Sequence, residues 1–377
     1  MGLRRHGVAV GGRGGAGEGA AVDELRESDR GAVRHELLAL GIAAMVLMGL
    51  SVSVLIGWEY RPALHGAFVY EDTRAIESCA DPAAIGINRA PSGIWMSLVA
   101  GRWVTQGLWC AQLARSQPLW AFHLMNLVLH LTATGLVGLL AWRVVPQALG
   151  AFVAMLLFGV NAVNVEAVAY LSGRSELVAA IGVLLACLAA LDGTWWAVVP
   201  AMLIGLGGKE SAIVAVALVP LGLWYQRGRP WGLVTVLALT LVLATVSTAT
   251  PAIWWVGVPP LSWALVQLTA IMRVIGLSLL PVWQTVDYDY AVVPLVVRLF
   301  SAVSLGAALV WVWLHRANRL LVYGTAWIVV TVAPRLIVPT PLSVFSEHQA
   351  YLAVVGVALV FASVLTFPLP ARKAIWT

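Results

Sequence analysis

Of 377 residues, 60% are hydrophobic and only 11% charged, with a mean hydropathy of +0.88. A soluble domain carries roughly 25% charged residues, so this chain cannot cover a water-facing surface and must take lipid as its solvent. The net charge of +5 and pI near 9.4 do not point to a nucleic-acid partner, because the basic residues are scattered among apolar runs as topology signals.

Residues 1–35 are rich in Gly and Arg, hold six basic and five acidic residues and show no apolar periodicity; they read as a disordered cytosolic tail. The Met-Gly start is not a myristoylation signal, since position 6 is His6. The first apolar run, 37–57, suffices for a ~30 Å hydrocarbon core, and without a small-residue cleavage site it reads as an uncleaved anchor. Residues 59–120 form the longest non-cytosolic loop, with amphipathic stretches around 94–114 suited to the membrane surface. Further spans are expected near 122–142, 147–164, 176–192, 194–208, 211–225, 231–249, 299–315, 320–334 and 349–369. The chain thus reads as an all-α polytopic membrane protein of about 10–11 transmembrane helices, with a membrane domain over 36–371. Residues 372–377 are read as a short cytosolic tail, and no soluble C-terminal domain is expected.

The run 261–283 is also apolar but contains Arg273 and ends at Pro281. Charge asymmetry decides how to treat it. With the N-terminus cytosolic and 261–283 re-entrant or interfacial, Arg143, Arg227, Arg229, Arg316, Arg319, Arg372 and Lys373 fall on the cytosolic side with one acid, Asp192. The other face then collects Glu59, Glu71, Asp72, Glu77, Asp81, Glu166, Glu176, Glu210, Asp287, Asp289 and Glu347, which is the positive-inside pattern. The Trp pairs at 195–196 and 254–255 read as belt residues. Cys187 reads as packing; Cys79 and Cys110 share the first long loop, as a disulfide or as two free thiols.

Polar residues gather at the non-cytosolic face. Glu71 and Asp72 are adjacent, and in extended chain only one would face a site. His123, Asn126, Leu127 and His130 share one helical face, where interhelical hydrogen bonding is the expected role. Residues 161–176 link two apolar spans yet hold Asn161, Asn164, Glu166, Arg174 and Glu176. A charge at the bilayer centre costs roughly 2.5–3.5 kcal/mol on insertion scales, so a plain connection would not carry them. Glu166 and Tyr170 lie one turn apart, and Ser172 is placed to cap the following helix. Lys209-Glu210-Ser211, Asp287-Tyr288-Asp289-Tyr290 and the stretch from Arg335 to Glu347-His348 and Tyr351 come next. Five connections delivering acids and bases to one face argue for a site.

These residues, in this order, resemble the GT-C membrane glycosyltransferases, in the branch of transmembrane-and-tetratricopeptide-repeat O-mannosyltransferases and their bacterial relatives. The resemblance rests on Tyr70-Glu71-Asp72; His123, Asn126 and His130; Val165 through Glu176; Lys209-Glu210-Ser211; Pro281 through Tyr288; and Glu347-His348 with Tyr351-Leu352. It runs from about residue 66 to 357, with 166–176 the most specific block. It implies inverting transfer of one mannose-like sugar from a polyprenyl-phosphate carrier to an extracytoplasmic acceptor. A loop carboxylate takes the acceptor's proton, and cations hold the departing phosphate. Carried over by position, Asp72, Glu71 and Glu166 are the catalytic candidates, with Asp72 foremost as base. Arg174, Lys209 and Arg335 are the phosphate candidates, and Asn161, Asn164, Tyr170, Glu210, Glu347 and His348 the orienting ones. The setting implied is a bacterial inner membrane with the site on its periplasmic face.

The chain departs from that pattern at Asn161-Ala162-Val163-Asn164, where the family usually shows His-Pro-x-His. Asn is a poor substitute for imidazole at a transition metal, so no metal ligand is assigned; a divalent metal is an optional cofactor at most. No repeat domain is read in the sequence. The competing reading is therefore a non-catalytic relative that binds the lipid carrier or serves as an assembly subunit. A secondary transporter fits less well, since such folds tend to show inverted repeats and midplane charges.

Overall fold

The computed structural model describes residues 43–44, 46–69, 72–80, 102–225, 260–280, 282, 284, 293–337 and 346–366. The chain divides into two units, 1–48 and 49–377. In the first, the described residues are helical; the second holds the hydrophobic core and the candidate site. The expected tails, the span at 231–249, Glu71, Asp287 and Asp289, and the side chain of Arg335 lie outside the described residues.

Among the described residues the structure consists of helices joined by turns and short irregular connections, with no strand. The helices are α1 (Val46–Glu59), α2 (Asp72–Ala80), α3 (Trp103–Ala114), α4 (Leu119–Val144), α5 (Ala148–Gly159), α6 (Val165–Ala169), α7 (Arg174–Leu191), α8 (Trp195–Gly208), α9 (Ala215–Tyr225), α10 (Pro260–Leu279), α11 (Leu295–Leu314), α12 (Arg319–Ile337) and α13 (Tyr351–Thr366). Five of the described helices are long and apolar enough to cross a membrane, or six if a bent pair counts as one. Several expected spans are shorter than their apolar runs. At 14 residues, α8 is roughly 21 Å long at 1.5 Å per residue, and Pro200 and Pro220 interrupt the bonding of α8 and α9.

One expectation is narrowed and one revised. The sequence points to a re-entrant or interfacial segment at 261–283; Pro260–Leu279 is one continuous helix that does not turn back, which fits an interfacial segment, and its length and apolarity also suffice to cross. Arg273 does not break it, and it runs beside α11. The expected span 147–164 is instead bent by 47° between α5 and the segment Ala162–Ala169. The cause is local. Asn161 accepts from Val163 N at 3.1 Å and donates to Leu157 O at 3.2 Å, so its side chain competes with the helical ladder.

The packing is centred on α7, whose apolar window is 94% buried, whereas that of α11 is 6% buried. Both are apolar all round, which suits either a protein core or lipid; α7 has the first environment. It packs along α4 and α8, while α5 lies against α4 and α13, and α12 along α13. Small residues permit these crossings: a Cβ on Gly182 would collide with the backbone of Gly205, and one on Gly324 would lie 2.9 Å from Gly356 O. At the far end of α7, Gly193 (φ 75°) turns the chain into α8. There Arg143 and Asp192, assigned to one face by charge, form an ion pair at 2.6 Å.

Candidate functional site

The segment 161–176 is a run of short turns, a 3-10 turn at Ala162–Asn164, then α6, then a second 3-10 turn at Leu171–Gly173. Short turns leave backbone groups that the next ladder does not satisfy. Side chains from other stretches fill that role. Asn126 of α4 donates through Nδ2 to the carbonyls of Val168, Tyr170 and Leu171 at 3.2–3.3 Å. His130, one turn on, reaches Gly159 O at 2.9 Å and Tyr351 Oη at 2.7 Å. The face of α4 expected to make interhelical hydrogen bonds makes them.

Asp72 opens α2 and is 0% exposed. Its Oδ1 accepts from Ser172 N at 2.9 Å and Ser172 Oγ at 2.6 Å, and its Oδ2 accepts from Val69 N at 3.0 Å. Ser172 therefore does not cap α7, as the sequence suggests; its hydroxyl is bound to the first loop, and the N-cap of α7 is Gly173 without a side-chain bond. A disulfide between Cys79 and Cys110 fastens α2 to α3, with Cα atoms 5.3 Å apart, and Gln106 donates to Ala75 O at 3.0 Å across the same join. Of the two states open for these cysteines, the structure takes the bridged one. Cys187 is free and buried.

Arg174 is fully buried. Its Nε donates to Asn126 Oδ1 at 2.9 Å and its Nη2 to Phe122 O at 3.0 Å, and its guanidinium lies 4.9 Å from the centre of the Trp109 ring. Among the described residues Nη1 has no hydrogen-bond partner. A buried cation costs several kcal/mol unless paired and bonded; here two acceptors and an aromatic face offset part of that.

Lys209 Nζ meets Glu176 Oε1 at 2.6 Å, with side-chain exposures of 12% and 3%. Glu210 is turned outward and pairs with Arg102 at 3.2 Å. The adjacent charges 209 and 210 thus pair with different partners, and not with each other.

Of the remaining predicted residues, Glu166 meets His348. Its Oε1 lies 2.8 Å from His348 Nδ1, and its Oε2 accepts from His348 N at 2.8 Å. Ser346 Oγ lies within donating distance of both oxygens, at 3.1 and 3.3 Å, and 2.6 Å from His348 Nδ1. Glu347 is buried and its Oε2 accepts from Gln284 Nε2 at 3.1 Å; Gln284 also donates to Ala162 O at 2.8 Å. Asn161 and Asn164 are turned into the protein, Asn164 donating to Phe158 O at 2.7 Å, with its Oδ1 unpartnered among the described residues. Tyr170 sits half-buried at the end of α6.

Six of the predicted residues fall into three groups: Asp72 and Arg174 about the turn at 172–174, Lys209 with Glu176, and Glu166 with His348 and its neighbour Glu347, while Glu210 turns away to Arg102. All three are tied to residues 161–176. Arg102, Ser346 and Gln284 escaped sequence reasoning. Ser346 had a signal, a serine directly ahead of an acid at a helix start; Arg102 and Gln284 had none. No group of three or more His, Cys, Asp or Glu side chains able to hold a metal ion occurs among the described residues. Around Glu166 the donors are one imidazole and one hydroxyl, a set that does not fit a resident transition metal.

No protein-family model matches the chain, and no solved structure matches it. The chain is 31% identical over 177 residues to Protein O-mannosyl-transferase Tmtc1 of Drosophila melanogaster, covering 42% of this chain and 20% of that protein. It is 32% identical over 181 residues to Protein O-mannosyl-transferase Tmtc2 of the same organism, covering 42% of this chain and 19% of that protein. The chain thus spans about a fifth of the length of the curated relatives it matches.

Proposed function

We propose that the chain is a membrane glycosyltransferase that moves one mannose-like sugar from a polyprenyl-phosphate carrier to an acceptor hydroxyl on the extracytoplasmic face. The supporting observation is the convergence of the first loop, α4 and the 209–211 and 346–348 connections on residues 161–176. The similarity to two O-mannosyl-transferases supports the sugar and the class. Displacement at the anomeric carbon with inversion needs a base for the acceptor and little help for a phosphate leaving group, which is stable as an anion.

Within this reading Asp72 acts as an anchor. Its carboxylate is enclosed and bound to Ser172 and Val69, so it fixes the first loop against the hub. Glu166, with a side chain 16% exposed, is the better-placed of these two carboxylates for chemistry. Arg174 supplies positive charge from behind the Trp109 ring. Arg335 remains a candidate for the phosphate.

The test uses purified chain in lipid nanodiscs with polyprenyl-phosphate-mannose and a serine- or threonine-containing peptide, tracking release of polyprenyl phosphate. Glu166→Gln is expected to lower turnover at least 10²-fold, the usual size of an acid–base contribution. Native chain and variant turning over equally would remove Glu166 from the site. One observation favours a second reading, a carrier-binding or assembly subunit without turnover: Lys209 is already neutralised by Glu176 and Arg174 is enclosed. Carrier binding by native mass spectrometry without any transfer would establish it.

A further inference from the structure

We propose that His348 is the proton acceptor of the transfer, acting through Nε2, and that Glu166 is the residue that positions it; this rests on the transferase reading above. The geometry is that of a carboxylate–imidazole pair. Glu166 Oε1 lies 2.8 Å from His348 Nδ1, and Oε2 is held by the His348 backbone N–H at 2.8 Å. Ser346 Oγ lies 3.1 and 3.3 Å from the two oxygens and 2.6 Å from His348 Nδ1; its single proton goes to the carboxylate, and its lone pair faces Nδ1 as a second acceptor. An ionised carboxylate only accepts. The hydrogen-bond network therefore assigns the imidazole proton to Nδ1 and leaves the lone pair on Nε2. Among the described residues no hydrogen bond occupies Nε2, and the His348 side chain is 22% exposed.

This arrangement separates two jobs that one carboxylate would do poorly. Both oxygens of Glu166 are engaged, so a substrate hydroxyl approaching it would compete with Ser346 and the backbone. The imidazole offers a nitrogen that no hydrogen bond occupies among the described residues, on a partly exposed side chain, with its tautomer fixed from behind as in a base oriented by an acid. The other imidazoles near the hub lack this. His130 is 0% exposed and has both nitrogens bonded, to Tyr351 and Gly159; His123 has Nε2 against Gly66 O at 3.2 Å, and its Nδ1, unbonded among the described residues, is buried.

In the step itself the Nε2 lone pair takes the acceptor's hydroxyl proton. The oxygen's electron pair forms the bond to the anomeric carbon, and the bond from that carbon to the carrier phosphate breaks, its electrons leaving on the phosphate oxygen. The imidazolium formed faces the Glu166 carboxylate, then gives its proton to water. No oxidant or further reactant is required.

The experiment compares native chain, His348→Asn and His348→Ala in the same nanodisc transfer assay. Asparagine places an N–H donor where Nδ1 stood, so the contact to Glu166 survives while Nε2 is lost. Turnover of His348→Asn is expected to fall at least 10²-fold with KM little changed, and added imidazole is expected to restore part of the activity of His348→Ala. Native chain and His348→Asn turning over within about twofold of each other would overturn the proposal while leaving the transferase reading intact. A native chain that transfers no sugar overturns that reading and this proposal with it. A measurement independent of turnover is carbethoxylation by diethyl pyrocarbonate, mapped by mass spectrometry. His348 is expected to react and His130 to resist; a His348 as inert as His130 would mean that Nε2 is closed to substrate, and the proposal fails.

Discussion

The Lys209–Glu176 pair offers the most direct check on the electrostatics. Its atoms meet at 2.6 Å with side-chain exposures of only 12% and 3%, so neither charge is well hydrated. Apart from Lys209, Glu176 has Ser211 Oγ at 3.5 Å, the outer limit of a hydrogen bond and too weak to replace an ammonium. Lys209→Met therefore leaves an ionised carboxylate inside the protein. Removing one partner of a buried pair costs about 3–5 kcal/mol, roughly a 10²- to 4 × 10³-fold loss in the folding equilibrium. Adding Glu176→Gln removes the stranded charge, so the double variant is expected to recover about 2 kcal/mol or more of that loss, the coupling seen for residues in one network. Equilibrium unfolding in mixed micelles, monitored by tryptophan fluorescence, measures both. A Lys209→Met protein within about 0.5 kcal/mol of native, the range of ordinary surface changes, would refute the pair. So would a double variant whose loss equals the sum of the single ones.

Three further outcomes are expected. Asn126→Ala removes the donor to three carbonyls of the hub and the acceptor for Arg174 Nε, and should cost about 2–3 kcal/mol in the same unfolding assay. Cys79→Ser opens the loop closed by Cys79–Cys110, 31 residues apart; chain entropy puts the loss at about 3–4 kcal/mol, and alkylation with mass readout should find two reactive thiols only after reduction of the native chain. Gly182→Leu drives a side chain into the Gly205 backbone and should cost upwards of about 3 kcal/mol, as overpacking does at a close helix crossing, whereas Gly306→Ala, with open space around it, should leave stability unchanged.

The helices were largely legible in the sequence because lipid writes them as long apolar runs. The inner face of α4 was legible too, since His123, Asn126 and His130 recur at helical spacing and polar groups avoid lipid. The bend after Gly159 was not, because an asparagine binding its own backbone looks the same in sequence as one on a helix surface. Pairing was the least legible layer. Lys209 and Glu210 are neighbours in sequence, yet a helix start sends them to Glu176 and Arg102. Asp72 and Ser172 lie 100 positions apart, and nothing local in either marks the other. Sequence could collect the site's residue types; only the fold could say which carboxylate is enclosed and which holds an imidazole.

The burial of α7 bears on how the chain is made. A helix leaving the ribosome enters the bilayer alone, and α11, with almost every side already facing outward, is suited to do so. By contrast, α7 begins with Arg174, Ser175 and Glu176, whose partners sit on α4, synthesised earlier, and at Lys209 and Ser211, synthesised later. Its charged end therefore stays unsatisfied until α8 has been completed and the turn after it has emerged. Insertion of this central helix is a joint event of α4, α7 and α8, and the translocation machinery must hold or shield it until then.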